Sequence, residues 1–211
     1  MKLQIAFDTV DTSAAVKMVG EIHDVIDIVE IGTPMIIHEG INPIKVIKNK
    51  FPSLTVLADV KIVDGGEIEA NYAFDAGADL VTVLGIAPDE TIRAVVQAAR
   101  KHGGMCVADM MCSNNLIHRA AELVNLDVDY ICLHTGVDEQ NSKTAPLADL
   151  NIVKKHVMGL KTSIAGGINF ETIHPIVEAS PDIIISGSAL TTAPNLREAV
   201  LQMTAIIRNK S

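Results

Sequence analysis

The segment Asp59-Val60-Lys61-Ile62-Val63-Asp64 places a lysine between two carboxylates at short spacing. Successive side chains of a β-strand alternate between its faces, so we predict that Asp59 and Lys61 share one face and Val60 occupies the other. A lysine held charged between carboxylates can stabilise or protonate a developing enolate oxygen. A purely structural ion pair is the alternative. Asp64 has a second interpretation as a helix N-cap, because Asp64-Gly65-Gly66-Glu67 resembles a capping box.

Another carboxylate, Glu30, lies near the end of the preceding apolar run and is expected to face Asp59 across the mouth of the fold. Two hard oxygen ligands on adjacent strands suit Mg²⁺, which commonly binds through one or two carboxylates together with substrate oxygens and water. Glu30 and Asp59 are therefore the predicted metal ligands. The alternative is a simple ion pair between Glu30 and Lys61.

Two further runs, consecutive along the chain, end at Asp109 and His134. Histidine titrates near neutrality, so a histidine at a strand end beside Thr135-Gly136 is a candidate acid or base. Asp109 is predicted to orient it. A hydrogen-bonded core histidine without a chemical role is the competing interpretation.

Glycines end the last two runs, at Gly166-Gly167 and at Gly187-Ser188. Backbone N–H groups in such loops frequently bind phosphate, and glycine lets the backbone approach an anion closely. These four residues are the predicted phosphate-binding loops, with two ordinary turns as the alternative.

All of these residues lie at the ends of short apolar runs, which alternate with helical patterns such as those at 90–102 and 196–209. The eight runs are 3–8, 26–32, 54–61, 80–85, 105–110, 130–134, 162–167 and 183–188. This alternation predicts βαβ units, and eight strands favour a phosphate-binding (β/α)8 TIM-type barrel with its active site at the carboxyl ends of the strands. An open doubly wound sheet is the alternative, but the turn after the first run lacks the glycine-rich fingerprint of that fold.

Composition limits the function further. The chain of 211 residues has a net charge of −9 and no stripe of lysine or arginine, which argues against binding to nucleic acid. No apolar run approaches the ~20 residues of a membrane-spanning helix, and the start lacks the apolar length of a signal peptide. Cys106, Cys112 and Cys132 match no metal-binding spacing, so reduced thiols are expected. We expect a single soluble, cytoplasmic barrel domain over residues 1–211.

The segment 59–64 also resembles the D-x-K-x-x-D motif of the orotidine 5′-monophosphate decarboxylase suprafamily. Within it, the chain is similar to two sister families, the 3-hexulose-6-phosphate synthases and the 3-keto-L-gulonate-6-phosphate decarboxylases. The likeness runs nearly end to end, through Leu3-Gln4-Ile5-Ala6-Phe7-Asp8, Val29-Glu30-Ile31-Gly32-Thr33-Pro34, Ala76-Gly77-Ala78-Asp79-Leu80-Val81-Thr82-Val83-Leu84-Gly85 and Ala165-Gly166-Gly167.

The resemblance implies a role for each matching position. Asp64 matches a residue that reaches into the neighbouring subunit's site, which implies a homodimer with shared active sites. Lys61 matches the group that stabilises an enediolate intermediate. The remaining matches are Mg²⁺ ligands (Glu30, Asp59), a substrate contact (Asp8), an acid/base position (His134) and the phosphate-binding loops (Gly166, Gly167, Gly187, Ser188).

Three positions separate the sister families. The resemblance implies that the decarboxylases carry glutamate at the end of strand five, arginine three residues after the strand-six histidine, and Gly-Arg after strand eight. This chain has Asp109, Val137 and Gly187-Ser188 there.

The resemblance therefore favours Mg²⁺-dependent aldol condensation of formaldehyde with D-ribulose 5-phosphate to D-arabino-3-hexulose 6-phosphate, through an enediolate and with His134 as the first candidate base. The alternatives are decarboxylation of 3-keto-L-gulonate 6-phosphate and a non-catalytic sugar-phosphate-binding barrel. From its position alone, the segment 137–147 is a candidate lid over the site.

Overall fold

Eight parallel strands close into a barrel in the computed structural model, which describes residues 1–140 and 145–209. Each strand pairs with the next along the chain, and the last returns to pair with the first. The strands are β1 (Lys2–Phe7), β2 (Ile28–Ile31), β3 (Thr55–Ile62), β4 (Leu80–Leu84), β5 (Met105–Asp109), β6 (Tyr130–His134), β7 (Lys161–Ala165) and β8 (Ile183–Ser186). The predicted (β/α)8 barrel is confirmed.

Helices alternate with these strands. In the described ranges they are α1 (Thr12–Ile22), α2 (Thr33–Glu39), α3 (Asn42–Lys50), α4 (Gly66–Asp75), α5 (Asp89–His102), α6 (Leu116–Asn125), α7 (Leu147–His156), α8 (Ile173–Ala179), α9 (Ser188–Thr191) and α10 (Leu196–Arg208). Helix α5 shows how the sequence specifies them: Ile92, Val95 and Ala99 recur on one buried face, and Gly103 ends the helix in a left-handed conformation with φ 68°. No helix among these is long and apolar enough to cross a membrane.

Inward-pointing side chains explain why the site lies at one end of the barrel. An apolar layer fills the interior and includes Ile28, Leu57, Leu80, Val107 and Cys132. Inward positions recur every second residue along a strand. Two residues beyond each member of that layer stand, in the same order, Glu30, Asp59, Thr82, Asp109 and His134. The apolar layer therefore forms a floor, and polar side chains stand above it at the carboxyl ends of the strands.

Some predicted boundaries differ from the structure. The seventh predicted strand runs two residues too far, because Gly166 and Gly167 have φ of 95° and 68° and leave the extended conformation. The eighth predicted strand also runs two residues too far, because β8 ends at Ser186 and α9 begins at Ser188. The candidate lid 137–147 starts with one 3₁₀ turn, Val137–Glu139. Its residues 141–144 lie outside the described part of the chain.

Candidate active site

A cavity of about 950 Å³ opens at the carboxyl ends of the strands. Ten of the predicted site residues line it, namely Asp8, Glu30, Asp59, Lys61, Asp109, His134, Gly166, Gly167, Gly187 and Ser188. Asp64 is the exception: it is exposed on the loop after β3 and does not line the cavity. Side chains far apart in the sequence thus converge on one chamber.

Lys61 lies between two carboxylates of this chamber. Its ammonium forms an ion pair with Asp59 and lies 3.7 Å from Oδ2 of Asp109. Burial lowers the pKa of Lys61, but the negative charges of Asp59 and Asp109 raise it more, so the pKa lies above its usual range. Lys61 is therefore a cation at neutral pH. Among the described residues, its ion pairs are with Asp59 and Asp109 rather than with Glu30.

Glu30 lies deeper, where it is 8% exposed. Its Oε2 accepts a hydrogen bond of 2.5 Å from Nε2 of Gln4. Burial and, secondly, the negative charge of Asp59 raise the pKa of Glu30 to about 8. The same two causes raise the pKa of Asp8. The chamber therefore holds several carboxylates away from bulk water and close to one another.

These carboxylates fit a divalent cation. Glu30 and Asp59 stand on the paired strands β2 and β3 and are both buried, where a cation would offset the cost of keeping carboxylates out of water. Within the ranges that the structure describes, no group of three or more His, Cys, Asp or Glu side chains could hold a metal ion by itself. The donors therefore suit a hard cation such as Mg²⁺, which completes its coordination with substrate oxygens and water.

His134 and Asp109 form the other half of the chamber. Nδ1 of His134 lies 2.7 Å from Oδ2 of Asp109, and Oδ1 of Asp109 accepts a hydrogen bond of 2.9 Å from the Met111 N–H. Burial raises the pKa of Asp109, but the hydrogen bond and charge of His134, and then the charge of Lys61, outweigh burial and lower it. An ionised Asp109 fixes Nδ1 of His134 as a donor, so Nε2 is the nitrogen able to exchange a proton with a ligand.

The glycine turns after β7 and β8 border the same cavity and lie side by side, because these two strands are paired. A Cβ on Gly166 would lie 2.2 Å from the carbonyl oxygen of Thr135. Only glycine therefore lets this turn pack against the end of β6.

Asp8 packs against the next strand end. A Cβ on Gly32 would lie 2.0 Å from Oδ1 of Asp8 and 2.9 Å from the carbonyl oxygen of Phe7. The glycine therefore makes room for the Asp8 carboxylate at the edge of the cavity.

Asp64 does not cap α4. The N-cap is Gly65, with φ 63°, and no side chain accepts a hydrogen bond there. The predicted capping box is wrong because left-handed Gly65 starts the helix one residue later than that motif requires. Asp64 is exposed, and three apolar side chains close to it in the sequence, Val63, Ile68 and Tyr72, are exposed as well.

Sequence reasoning missed several polar residues of the site, and three of them contact its charged side chains. Gln4 hydrogen bonds with Glu30, the Thr33 hydroxyl donates to the backbone oxygen of Asp59 at 2.6 Å, and Thr82 contacts both Asp59 and Lys61. The available signal was a polar residue within an apolar strand, as for Thr82 in Leu80–Leu84. Threonine is common in strands, so this signal alone would not have selected it.

Comparison with known proteins agrees with the geometry. The profile of the orotidine 5′-phosphate decarboxylase / HUMPS family matches residues 1–203. The 3-hexulose-6-phosphate synthase of Bacillus subtilis is 42% identical over 207 residues, which cover 98% of this chain and 99% of that protein. The crystal structure of 3-hexulose-6-phosphate synthase from Salmonella typhimurium matches with a TM-score of 0.97 and 38% identity, covering 100% of both chains.

A more distant structure shares the fold alone. The 3-keto-L-gulonate-6-phosphate decarboxylase from Vibrio cholerae has a TM-score of 0.84 and 24% identity, with 99% of this chain and 97% of that chain covered. The family profile and the full-length relatives decide the assignment: the chain belongs to the orotidine 5′-phosphate decarboxylase / HUMPS family.

Proposed function

We propose that this enzyme condenses formaldehyde with D-ribulose 5-phosphate to give D-arabino-3-hexulose 6-phosphate. Relatives that carry the name 3-hexulose-6-phosphate synthase align with the chain over nearly their full length at about 40% identity. The observation that carries the proposal is the chain of contacts from Lys61 through Asp109 to His134 inside one cavity. It joins a fixed positive charge to an acid/base group, the two elements that enediolate chemistry requires.

His134 is the proposed base. Its Nε2 takes a proton from C1 of ribulose 5-phosphate, and the electron pair of that C–H bond forms the C1–C2 double bond of an enediolate. The negative charge moves to the C2 oxygen. Asp109 stabilises the imidazolium that results, because its carboxylate is hydrogen bonded to Nδ1 and stays ionised.

Lys61 is the proposed partner of the developing oxyanion. Its ammonium is charged and held by Asp59, so little reorganisation is needed when charge appears on the substrate. The electron pair of the C1–C2 double bond then attacks the carbon of formaldehyde, and the C2 carbonyl re-forms. The C=O π bond of formaldehyde opens, and its oxygen takes a proton from the imidazolium of His134. One carbon–carbon bond forms, and the enzyme returns to its starting protonation state.

Mg²⁺ is the proposed cofactor, with Glu30 and Asp59 as the side chains that would hold it. A bound Mg²⁺ would stabilise negative charge on the substrate oxygens. Asp8 is the proposed contact to the sugar. The turns Gly166-Gly167 and Gly187-Ser188 are proposed to bind the phosphate through backbone N–H groups.

Residues at three strand ends support condensation over decarboxylation. Asp109, Val137 and Ser188 stand where the sister decarboxylases are expected to carry glutamate and two arginines. Val137 is an exposed apolar residue and Ser188 is uncharged, so neither can form the ion pairs of an arginine. The relatives near 40% identity carry the synthase name.

A homodimer with shared active sites is also proposed. Asp64 lies outside its own cavity, and the apolar side chains of Val63, Ile68 and Tyr72, close to it in the sequence, are 52%, 61% and 60% exposed. Adjacent exposed apolar side chains commonly mark a protein interface. A second copy packed there would cover them and bring Asp64 toward the partner's cavity.

Subunit mixing tests the shared sites. Lys61→Ala and Asp64→Ala subunits are expected to be inactive alone, whereas co-expression should restore about a quarter of the wild-type sites, since a mixed dimer holds one intact site. Failure of co-expression to restore activity would reject shared sites.

The reaction itself is tested by following formaldehyde consumption with ribulose 5-phosphate, with Mg²⁺ and after chelation. Release of CO₂ from 3-keto-L-gulonate 6-phosphate is measured in parallel. The proposal expects Mg²⁺-dependent loss of formaldehyde, and CO₂ release without formaldehyde consumption would reject it.

A further inference from the structure

The pairing of β3 with β4 is irregular beside the reactive segment. Ala58 pairs with Val81 and Ile62 pairs with Val83, so three residues of β3, Asp59, Val60 and Lys61, face the single residue Thr82 of β4. A bulge of this kind disrupts the ladder and re-aims the side chains within it. It brings the side chains of Asp59 and Lys61 together beside Asp109.

The backbone at the bulge is unusual. Lys61 has φ 53°, a left-handed conformation that few residues other than glycine adopt. Such a conformation persists only where its surroundings hold it. The backbone N–H of Lys61 donates to the side-chain hydroxyl of Thr82 at 2.9 Å.

The hydroxyl of Thr82 holds both ends of the bulge. It accepts from the Lys61 N–H and donates to Oδ1 of Asp59 at 2.8 Å. Thr82 is 5% exposed, so bulk water does not readily replace these bonds. Although Thr82 borders the cavity, a hydroxyl has one proton, and Asp59 already receives it. No donor remains for a substrate.

From this geometry we infer that Thr82 is a positioning residue for the reaction. Its hydroxyl fixes the Lys61 backbone and the Asp59 carboxylate together, and so sets where the Lys61 ammonium meets the developing oxyanion. The inference rests on the proposed function for the role of Lys61. The bulge geometry itself does not depend on that role.

Four variants test it. Thr82→Val is nearly isosteric and removes the hydroxyl, Thr82→Ala removes it without adding a methyl group, and Thr82→Ser restores it. Thr162→Val is the matched control: Thr162 lies in β7, is 3% exposed, and its hydroxyl has no hydrogen-bond partner among the residues that the structure describes. The same change there deletes no hydrogen bond.

We expect kcat to fall about 10²-fold in Thr82→Val and Thr82→Ala, the effect of displacing a catalytic group by roughly 1 Å, with KM for ribulose 5-phosphate changing far less. Thr82→Ser and Thr162→Val should keep near wild-type kcat. Wild-type kcat in a hydroxyl-free variant would overturn the inference, as would equal losses in Thr82→Ser and Thr82→Val. A higher KM with unchanged kcat would also overturn it, because that pattern describes a substrate contact.

Amide hydrogen exchange at Lys61, followed by NMR, supplies a readout that does not depend on turnover. Loss of the Thr82 hydroxyl should speed exchange at Lys61 in Thr82→Val, and Thr162→Val should leave it unchanged. Unchanged exchange in Thr82→Val would overturn the inference. If the wild-type enzyme did not consume formaldehyde, the proposed function would fail, while the exchange measurement would still decide whether Thr82 holds the bulge.

Discussion

Replacing Asp109 by asparagine should slow the reaction while preserving the shape of the site. The carboxylate is 2% exposed and accepts hydrogen bonds from His134 at 2.7 Å and from the Met111 N–H at 2.9 Å. An asparagine that keeps its oxygen toward Met111 turns its NH₂ group toward His134. Nδ1 must then accept rather than donate, so Nε2 carries the proton and can no longer act as a base.

The size of the effect follows from the contacts that are lost. A hydrogen bond to a charged group contributes about 1.5–3 kcal/mol. At about 1.4 kcal/mol for each factor of ten, the loss of this bond alone predicts a fall in kcat of roughly 10- to 10²-fold, and the tautomer change that disables the base extends the expected fall to about 10²- to 10⁴-fold. The 3.7 Å charge interaction with Lys61 is lost as well, which acts in the same direction. KM should change less, because the glycine turns after β7 and β8 are untouched.

Formaldehyde consumption at saturating ribulose 5-phosphate measures kcat, and circular dichroism confirms folding. Asp129→Asn is the matched control, since Asp129 also accepts from a backbone N–H, that of Cys106, and pairs with Arg100 at 2.8 Å outside the cavity. It should leave kcat unchanged. A folded Asp109→Asn enzyme with the kcat of the wild type would refute the role given to this carboxylate.

Three further results are expected. The pKa of Asp109 is lowered in the folded protein, so its contribution to stability is complete above its ordinary pKa of 3.8 and is lost as pH falls through the folded value. The free energies of unfolding of wild type and Asp109→Asn, measured in urea, should therefore converge as pH falls below 3.8. A difference that grew at lower pH would contradict this. Gly32→Ala should destabilise the protein by about 1–3 kcal/mol, because the added Cβ would lie 2.0 Å from Oδ1 of Asp8. Gly20→Ala in α1, whose Cβ would meet Phe51 at an ordinary 3.8 Å, should stabilise it by roughly 0.5–1 kcal/mol. Thermal unfolding that ranked the two variants in the opposite order would contradict this packing. In D₂O without formaldehyde, the wild type should exchange the C1 proton of ribulose 5-phosphate and His134→Gln should not; exchange by that variant, followed by proton NMR, would assign the base elsewhere.

The strand ends were predictable because each combines an apolar run with a polar or glycine terminus. The bounds of β6, Tyr130–His134, match the predicted run, and the carboxyl ends of parallel strands must meet at one edge. That rule explains why Asp8, Glu30, Asp109 and His134 could be assigned to one cavity from sequence alone.

Local backbone geometry was the part that sequence could not supply. The left-handed conformations of Lys61 and Gly65 depend on tertiary contacts that periodicity does not encode. The left-handed Lys61 belongs to a bulge that brings Asp59 and Lys61 together, where simple strand alternation had been expected. The left-handed Gly65 excludes the capping box at Asp64. Thr82 was missed for the same reason, since its importance arises only from the bulge that it faces.

Joining the two carbon atoms is the central chemical claim, and isotope labelling tests it most directly. Carbon-13 formaldehyde and ribulose 5-phosphate labelled with carbon-13 at C1 are incubated with the wild-type enzyme and Mg²⁺, and the mixture is followed by NMR. We expect a product in which the two labelled carbons show one-bond coupling. Labelled formaldehyde that remains uncoupled while the enzyme is folded and Mg²⁺ is present would contradict it.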